Sequence, residues 1–545
     1  MSERRIDRSW TALAVFLLGV CLFAGLESIG LVGPDEPRYA WIARAMARTG
    51  DWLTPRLWGH AWFEKPILYY WSAAAAFRLA GVSERAARLP SALGALAGAL
   101  LLAWAARHFY GRQAAKLTLV IFPTTLGVFA FAHAATPDML LAVSLEAALV
   151  AALFAIAWPG FGRADTANSK KLPLVAAGAF IGLGTLAKGP VAIVLAGGSV
   201  LLWAALTRRW RDGFRFLRWE PLGAFAAVAL PWYVACSLAN PGFARAFLWH
   251  QNIQRFLTPV FEHVQPWWFF FPILALGLLP WTATLVPAAR DGWRLFRSGR
   301  AAGSPGLLVA CWAVFPLLFF SFSESKLPGY ILPALAPLVL LMARSIDGVA
   351  AAEPAAGGKS PGRLGKWAIA LVGVTWIALS AAAGHWLRRL PRTWDISHRE
   401  IIMGVLAATA AVGVVVIVLG LLGRLRLAVG ASALAMGVLV AVLAWAFLPQ
   451  VGPYLSARDA ARAARQAAGQ TAVIEAYRLP RDWAYGLDYY SGRKLAEWSP
   501  AEKKAAWVYT TRKSLRTIPG QDHPISSTVT LPGGLALVRV SGASP

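Results

Sequence analysis

Long apolar stretches separated by short polar segments dominate the first 450 residues. A helix that crosses a bilayer needs about 20 mostly apolar residues. Thirteen stretches approach that length, near 10–30, 88–106, 114–132, 138–158, 172–186, 189–206, 218–238, 266–288, 306–322, 330–346, 366–386, 401–422 and 427–448. The pattern predicts an α-helical polytopic membrane protein with about thirteen transmembrane helices.

The connection between the first two spans, residues 31–88, is long and rich in charged and aromatic residues. One helix is predicted from Glu36 to Arg48. A second apolar stretch, 66–81, is short and carries Arg78, which favours a helix lying in the membrane interface over one that crosses. If 66–81 did cross, every later loop would change side.

The character of the chain changes after residue 450. Ser456 could cap a helix over 457–468, because serine is a preferred residue at that position. Apolar β-type runs follow at 472–477 and 506–510, and residues 527–540 are typical of a hairpin. We therefore expect a transmembrane domain over 1–450 and a small periplasmic α/β domain over 451–545.

Composition and charge agree with a membrane protein. Charged residues make up 15% of the chain and hydrophobic ones 57%, whereas soluble proteins carry about 25% charged residues. The predicted inner segments hold 24 Lys and Arg in 88 positions and the outer ones 16 in 117, the bias expected of a cytoplasmic N-terminus. The net charge of +26 is spread over both faces, so a nucleic-acid partner is not expected.

Several polar residues lie where predicted spans begin or end. Asp35, Asp138 and Lys188 each have a plain structural interpretation as a helix cap or helix end. The predicted topology nevertheless brings a mixed set of charges to the outer surface: Asp35, Glu64, Lys65, Asp138, Lys188, Arg255 and Lys326, with Tyr330. Carboxylates and cations near one plane could share a ligand. The sequence has no P-loop, no glycine fingerprint and no zinc spacing.

A set of short motifs occurs in order over residues 1–350. They are Pro34-Asp35-Glu36-Pro37-Arg38-Tyr39, Gly50-Asp51-Trp52, Phe63-Glu64-Lys65-Pro66, Thr136-Pro137-Asp138, Lys188-Gly189, Ile253-Gln254-Arg255-Phe256 and Lys326-Leu327-Pro328-Gly329-Tyr330-Ile331-Leu332. In these motifs the chain resembles the GT-C-type polyprenyl-phosphate-sugar glycosyltransferases of the protein mannosyltransferase-related group. The resemblance is closest to the bacterial 4-amino-4-deoxy-L-arabinose lipid A transferases.

The resemblance implies roles for these residues. Asp35 corresponds to the principal catalytic carboxylate, and Asp138 to a second acid that supports the site. Residues matching those that hold the donor phosphate are Lys65, Arg255, Tyr330 and Arg38. Residues matching cavity or substrate-binding positions are Glu36, Tyr39, Glu64, Lys188 and Lys326.

The chain also departs from the family pattern. Gln251 and Asn252 stand where the family often has an acidic residue and a histidine, and Gly329 stands where a larger residue is common. No cofactor is expected to be required. A divalent metal is only a weak alternative, held by Glu64 and His250.

The resemblance implies an integral glycosyltransferase of the bacterial inner membrane that moves 4-amino-4-deoxy-L-arabinose from undecaprenyl phosphate to lipid A at the periplasmic face, among membrane lipids. One alternative is transfer of another lipid-linked sugar to a different glycan or a protein. A transporter of lipid-linked sugars is less favoured, because no internal repeat is visible and the charged candidates lie at span ends. An assembly protein, in which every motif is a cap or turn, is the third class.

Overall fold

The computed structural model describes residues 2–158, 171–254, 264–351, 362–390, 397–500, 505–518 and 524–541. Its α-helices up to residue 300 are α1 (Ser2–Phe23), α2 (Asp35–Thr49), α3 (Leu68–Ala80), α4 (Glu84–Tyr110), α5 (Arg112–Ile121), α6 (Leu126–Ala132), α7 (Asp138–Ala155), α8 (Lys171–Lys188), α9 (Val191–Thr207), α10 (Trp210–Phe214), α11 (Trp219–Ala239), α12 (Phe270–Gly277) and α13 (Leu285–Arg297). Those that follow are α14 (Pro305–Ser321), α15 (Leu332–Ala351), α16 (Gly362–Arg389), α17 (Arg399–Leu421), α18 (Leu425–Val442), α19 (Leu448–Leu455), α20 (Ala457–Ala468), α21 (Arg481–Ser491) and α22 (Arg512–Leu515). The strands are β1 (Arg56–Leu57), β2 (His60–Ala61), β3 (Ile474–Ala476), β4 (Ala506–Thr511), β5 (Ile525–Thr530) and β6 (Leu535–Val540).

In the described part of the chain, eight helices are long and apolar enough to cross a bilayer, or ten if each of two bent helix pairs forms one span. Three shorter apolar helices, Arg8–Phe23, Val191–Thr207 and Pro305–Ser321, fall on three further predicted spans. Every predicted apolar stretch therefore contains helix, and the chain is a multi-pass membrane protein. The number of thirteen crossings is not confirmed.

Two predicted spans are not the continuous helices that the sequence suggested. The stretch 114–132 consists of α5 and α6, which are bent by 60° relative to each other. The stretch 266–288 contains α12 and the start of the helical segment Trp281–Arg297, bent by 106°. Pro123 and Pro280 lie at the two breaks. Proline ends or kinks a helix because it lacks the N–H that would continue the hydrogen-bond ladder.

The two breaks lie against each other. The N–H of Leu126 donates to the carbonyl of Leu279 over 2.9 Å. The indole N–H of Trp281 donates to Oγ1 of Thr124 over 3.1 Å. Within a membrane, backbone groups released at a break must find partners inside the protein, and here each break supplies partners for the other.

The connection between the first two spans folds into α2, the β1–β2 hairpin and α3. Helix α3 has 13 residues, fewer than a bilayer crossing needs, as expected for the stretch 66–81. Tyr39 of α2 packs edge-on against Tyr69 and Tyr70 of α3, with ring centroids 6.1 Å apart in both pairs. These contacts fix α2 on α3 and so fix the residues at the start of α2.

The elements predicted after residue 450 are present. Helix α20 begins after Ser456, whose hydroxyl accepts the N–H of Arg458, and it ends before Gly469. The strands form one sheet in the order β3-β4-β6-β5. The first pair is parallel and the other two are antiparallel, and β5 and β6 form the predicted hairpin.

These C-terminal elements pack directly on the first connection. The Ser456 hydroxyl donates to the carbonyl of Leu31 over 2.9 Å. The Tyr490 hydroxyl accepts the N–H of Leu31 over 2.7 Å and donates to Glu84 over 2.9 Å. One wall of the first connection is therefore made by residues more than 400 positions further along the chain.

Candidate active site

A cavity of about 340 Å³ lies where the first connection meets the ends of several spans. Its lining residues are Glu64, Lys65, Leu141, Lys188, Pro190, Val191, Val194, Phe247, Gln251, Asn252, Ile253, Phe319, Phe320, Ser323, Ser325, Gly329 and Tyr330. One part of the wall is charged or polar, and the rest is aliphatic and aromatic. Four predicted site residues, Glu64, Lys65, Lys188 and Tyr330, line this single cavity although they are far apart in the sequence.

Lys188 forms one side of the polar wall and is paired with Asp138. Lys188 is the last residue of α8, and its ammonium donates to Oδ1 of Asp138, the first residue of α7. The same ammonium lies 5.1 Å from the ring centroid of Tyr330. Gly189 follows with φ of 89°, the left-handed exit that favours glycine. Lys188 therefore both ends α8 and lines the cavity.

Gly329 is in van der Waals contact with this cluster. A Cβ atom at position 329 would lie 2.7 Å from the Phe131 ring and 3.0 Å from Oδ1 of Asp138. A larger side chain would therefore displace Asp138 or Phe131. The glycine that departs from the family pattern brings the backbone of Pro328–Ile331 close to the carboxylate.

Asp35, Arg38 and Glu64 form a second charged group beside the cavity. The Arg38 guanidinium donates to Oδ1 of Asp35 and lies 3.1 Å from Oε2 of Glu64. Glu64 in turn lies 3.6 Å from the ammonium of Lys65. Asp35 itself does not line the cavity, and its side chain is 51% exposed. It is connected to the cavity through Arg38 and Glu64.

Arg38 is the centre of this group. The residue is 3% exposed, and its guanidinium carbon lies 5.3, 5.9 and 5.4 Å from the rings of Tyr39, Trp62 and Tyr485. Burial alone would lower the pKa of Arg38, but Glu64, Tyr39 and Asp35 outweigh that effect and raise the pKa above its usual range. A permanent positive charge is therefore fixed between the two carboxylates.

Glu36 lies elsewhere than predicted. It was expected to face the cavity, but it is 7% exposed and is absent from the lining. Its oxygens accept hydrogen bonds from Arg88 over 2.6 and 3.0 Å and from the N–H groups of Val32 and Ala135 over 2.8 and 2.7 Å. Its acceptor positions are used to hold together α2, α4 and the connection between α6 and α7, so the structure gives Glu36 an architectural position.

Lys326 also lies outside the lining. Its ammonium donates to the carbonyls of Ser323 and Gln265 over 2.5 and 2.9 Å, and the residue is 6% exposed. It holds together the backbone that carries Ser323 and Ser325 at the cavity wall. Arg255 lies outside the described residues, immediately after the π-helical turn Arg245–Gln254.

The predicted weak alternative of a metal at Glu64 and His250 does not fit the arrangement of charges. The Glu64 carboxylate is flanked by the cations Arg38 and Lys65, which oppose a divalent ion. His250 is exposed and does not line the cavity. No group of three or more His, Cys, Asp or Glu side chains that could hold a metal occurs in the described ranges.

Gln251 and Asn252 line the cavity from the π-helical turn. The Asn252 amide donates to the carbonyl of Phe247 over 2.7 Å, which fixes its orientation. Oε1 of Gln251 is buried and has no hydrogen-bond partner among the residues that the structure describes. A buried acceptor without a partner is unfavourable, so this amide is available to a hydroxyl or amine of a bound molecule.

Sequence reasoning missed two kinds of residue. The first is the apolar wall, Val191, Val194, Phe319 and Phe320, which looked like ordinary span residues because its periodicity is that of any buried helix. The second is Tyr485 of α21, which no local signal connects to Arg38. Only the fold brings these residues to the site.

Comparisons with known proteins agree with the fold and the motifs. A family model described as dolichyl-phosphate-mannose-protein mannosyltransferase (PMT) matches residues 9–247. The undecaprenyl phosphate-alpha-4-amino-4-deoxy-L-arabinose arabinosyl transferase of Edwardsiella ictaluri (strain 93-146) is 35% identical over 337 residues, which is 61% of this chain and 58% of that protein. A transferase of the same name, numbered 1, from Sodalis glossinidius (strain morsitans) is 37% identical over 338 residues, with the same coverage. The alignments thus span less than two thirds of these relatives.

A solved structure matches nearly the whole chain. The crystal structure of ArnT from Cupriavidus metallidurans bound to undecaprenyl phosphate gives a TM-score of 0.77 at 26% identity and covers 97% of this chain and 98% of that one. Its apo form gives the same TM-score at 24% identity. The chain therefore has the fold of ArnT, and its resemblance to the GT-C-type glycosyltransferases of the PMT-related group is confirmed.

Proposed function

We propose that the chain is a membrane glycosyltransferase of the bacterial inner membrane. In this proposal it moves 4-amino-4-deoxy-L-arabinose from undecaprenyl phosphate to lipid A at the periplasmic face. The donor and the transfer reaction in this proposal are those in the names of its relatives. The acceptor, the inner membrane and the periplasmic face come from the motif resemblance. The activity, both substrates and the orientation in the membrane belong to the proposal.

The observation that carries the proposal is the composition of the cavity. Two ammonium groups, of Lys65 and Lys188, lie on a wall that continues into aliphatic and aromatic side chains. A lipid-linked sugar phosphate has the same two parts, an anionic phosphate and an apolar chain. The cavity therefore suits a polyprenyl phosphate with its phosphate at the cations and its chain along Val191, Val194 and Phe319.

Cations at this position also suit the reaction. Breaking a glycosyl–phosphate bond leaves negative charge on the phosphate, and fixed positive charges stabilise that charge in the transition state. The effect is larger where water is excluded. In our proposal Lys65 and Arg255 hold the phosphate, Tyr330 and Arg38 adjoin them, and the leaving phosphate needs no general acid.

Asp35 is proposed as the principal catalytic carboxylate. One oxygen accepts from Arg38, while the half-exposed side chain leaves the other available to an acceptor hydroxyl or to positive charge on the sugar. Asp138, paired with Lys188, is proposed to set the position of that lysine. If the acceptor is itself a phosphate, Asp35 would orient groups rather than remove a proton.

The test is Asp35→Asn in cells that lack their own transferase. Lipid A mass spectra of the wild type should show the mass gain of aminoarabinose, and the variant should lose it at an unchanged level of membrane-inserted protein. Asp482→Asn is the matched control, since Asp482 is exposed and does not line the cavity. Transfer by the Asp35→Asn protein at the wild-type rate would refute the assignment.

A second candidate is transfer of a different lipid-linked sugar by the same fold. It is favoured by the neutral amides of Gln251 and Asn252 at the cavity wall, where the family often carries charge. The same mass spectra separate the two candidates, because a gain that matches another sugar would replace aminoarabinose as the donor group.

A further inference from the structure

A second groove, of about 260 Å³, lies along the second half of α2 and shares no lining residue with the cavity described above. Its lining residues are Trp41, Arg44, Ala45, Met46, Arg48, Thr49, Asp51, Thr54, Arg56, Trp58 and Gly59. Three arginines and two tryptophans therefore surround a space that the proposed reaction does not use.

Arg44 has an unsatisfied donor at this groove. The residue is 8% exposed, and its guanidinium carbon lies 4.3 Å from the Trp41 ring and 4.5 Å from the Tyr489 ring. Nη1 donates to the carbonyl of Tyr489 over 3.2 Å. Nη2 is buried without a hydrogen-bond partner within the described ranges. Burying a charged group with an unused hydrogen-bond donor is energetically unfavourable. A ligand that supplies the missing acceptor would remove this cost.

The groove also carries positive charge that no carboxylate among the described residues neutralises. Arg48 lies one helical turn after Arg44, and like charges at that spacing repel each other. Neither arginine forms an ion pair in the described part of the chain. Burial is the main cause that lowers the pKa of the Arg44 guanidinium, and the charge of Arg48 lowers it further.

The one carboxylate of the groove is already engaged. Asp51 accepts from Nε of Arg56 over 3.0 Å and from the N–H groups of Leu53 and Thr54 over 3.2 and 3.0 Å. Although burial opposes it, these hydrogen bonds lower the pKa of Asp51. Asp51 therefore stays ionised and offsets Arg56, while Arg44 and Arg48 have no carboxylate partner in the described part of the chain.

Two arginines without counter-ions and one unused N–H group match an anion with several acceptor oxygens. Guanidinium groups bind phosphate through paired hydrogen bonds, and the indole rings of Trp41 and Trp58 give the groove apolar walls. Lys494, whose ammonium lies 5.0 Å from the Trp58 ring, adds a further cation at its edge.

We infer that this groove binds a phosphate monoester of the lipid acceptor, away from the atoms that react. This inference rests on the proposed function for the identity of the acceptor. Arg38 and Arg44 are separated by six positions on α2, or about 9 Å along its axis. A lipid with two phosphate groups could place one near the cavity and the other at Arg44 and Arg48, so the acceptor class is a doubly phosphorylated lipid.

The first measurement is lipid binding by the full-length protein in detergent, followed by native mass spectrometry. The probes are phosphatidic acid, which carries a monoester, phosphatidylglycerol, which carries a diester, and inorganic phosphate as a competitor. Wild-type protein should retain phosphatidic acid in preference to phosphatidylglycerol. Arg48→Gln should weaken that binding about tenfold, as expected for loss of a charge-assisted hydrogen bond.

Arg44→Gln is the second variant and should lose binding to the same extent. If Arg44→Gln is unstable because Arg44 is buried, Arg48→Gln still tests the inference. Arg462→Gln, which removes an exposed arginine from α20, is the control and should bind as wild type does. Equal binding by wild type and Arg48→Gln would overturn the inference. Displacement of phosphatidic acid by inorganic phosphate at equal concentration would assign the groove to free phosphate and would also overturn it.

The second measurement is transfer kinetics. In Arg48→Gln the KM for the acceptor should rise about tenfold, whereas the KM for the donor stays unchanged. An unchanged KM for the acceptor would overturn the inference while leaving the proposed function intact. Absence of transfer by the wild type would refute the proposed function, and the lipid-binding measurement would then decide separately whether the groove recognises a phosphate monoester.

Discussion

Neighbouring carboxylates on α2 have opposite environments. Asp35 is half exposed and shares Arg38 with Glu64, while Glu36 is buried and its oxygens are occupied by Arg88 and two backbone N–H groups. The sequence placed both at the outer surface and the resemblance gave both a role at the site. The sequence could not distinguish the two carboxylates, because the difference depends on Arg88 of α4 and on Ala135 in the connection between α6 and α7.

Glu36→Gln should therefore impair the fold rather than the chemistry. Removing one partner of a buried ion pair costs about 3–5 kcal/mol, and the amide would leave Arg88 without a counter-ion. We expect a lower thermal midpoint and less protein inserted in the membrane. Glu27→Gln, which breaks an exposed pair with Arg85, is the control and should change stability by less than about 1 kcal/mol. A Glu36→Gln protein as stable as wild type would contradict this role.

At the scale of elements, apolar periodicity was enough to locate every helix in the predicted spans. The bends of 60° and 106° were not foreseen, although Pro123 and Pro280 mark them. A proline in an apolar run can kink a helix, break it, or be accommodated without either effect. Tertiary contacts decide which of these occurs. The predicted C-terminal helix and hairpin were correct because their caps and turn are local signals. The packing of α21 on α2 has no such signal.

That packing predicts a role for Tyr485. Its ring stacks on Trp58 with centroids 5.4 Å apart and faces the Arg38 guanidinium at 5.4 Å, so it restrains the arginine that links Asp35 to Glu64. Tyr485→Ala should lower kcat about tenfold with a smaller change in KM, since such contacts are worth about 1–2 kcal/mol. Tyr485→Phe retains the ring and should stay near wild type. Equal kcat in Tyr485→Ala and Tyr485→Phe would exclude the ring as the cause.

Helix α21 also contains a pH-sensitive group. Burial raises the pKa of Asp488 from 3.8 to about 6. Because the folded protein holds this proton more tightly than the unfolded chain, the group favours folding at low pH. That contribution disappears as the pH rises from about 4 to about 6.

Asp488→Asn removes this titration and still offers an oxygen to the N–H of Leu495, which donates to Oδ1 over 2.8 Å. At pH 7.5 the free energy of unfolding of the variant should exceed that of wild type by about 1–2 kcal/mol. The difference should vanish near pH 4. Thermal unfolding of both proteins at several pH values measures this difference. A constant difference across the range would show that titration of Asp488 is not responsible.

For the whole molecule, contact between the first connection and the C-terminal elements constrains the topology. Segments that touch each other lie on one side of a membrane, so the number of crossings between residues 31 and 456 is even. The twelve spans predicted there satisfy this condition. A thirteenth crossing by α3 would violate it, which supports placing α3 at the interface.

Single cysteines test this arrangement, since the native Cys21, Cys236 and Cys311 are buried. Exposed positions Thr49 and Arg493, changed to cysteine, should react with an impermeant thiol reagent added outside intact cells. Cysteine at Arg211 should react only after the membrane is permeabilised. Labelling at 211 in intact cells would mean that an even number of crossings, rather than the predicted five, separates it from the first connection.

The hydrogen bond from Ser456 to Leu31 joins residues 425 positions apart, and this has a consequence for biosynthesis. The ribosome releases the loop containing Asp35 and Glu64 long before it makes the segment that braces that loop. The braced form of this loop can therefore form only after the segment that contains Ser456 has been synthesised. In the proposed transferase, we expect a chain truncated before residue 456 to lack this brace and to transfer sugar more slowly than the full chain.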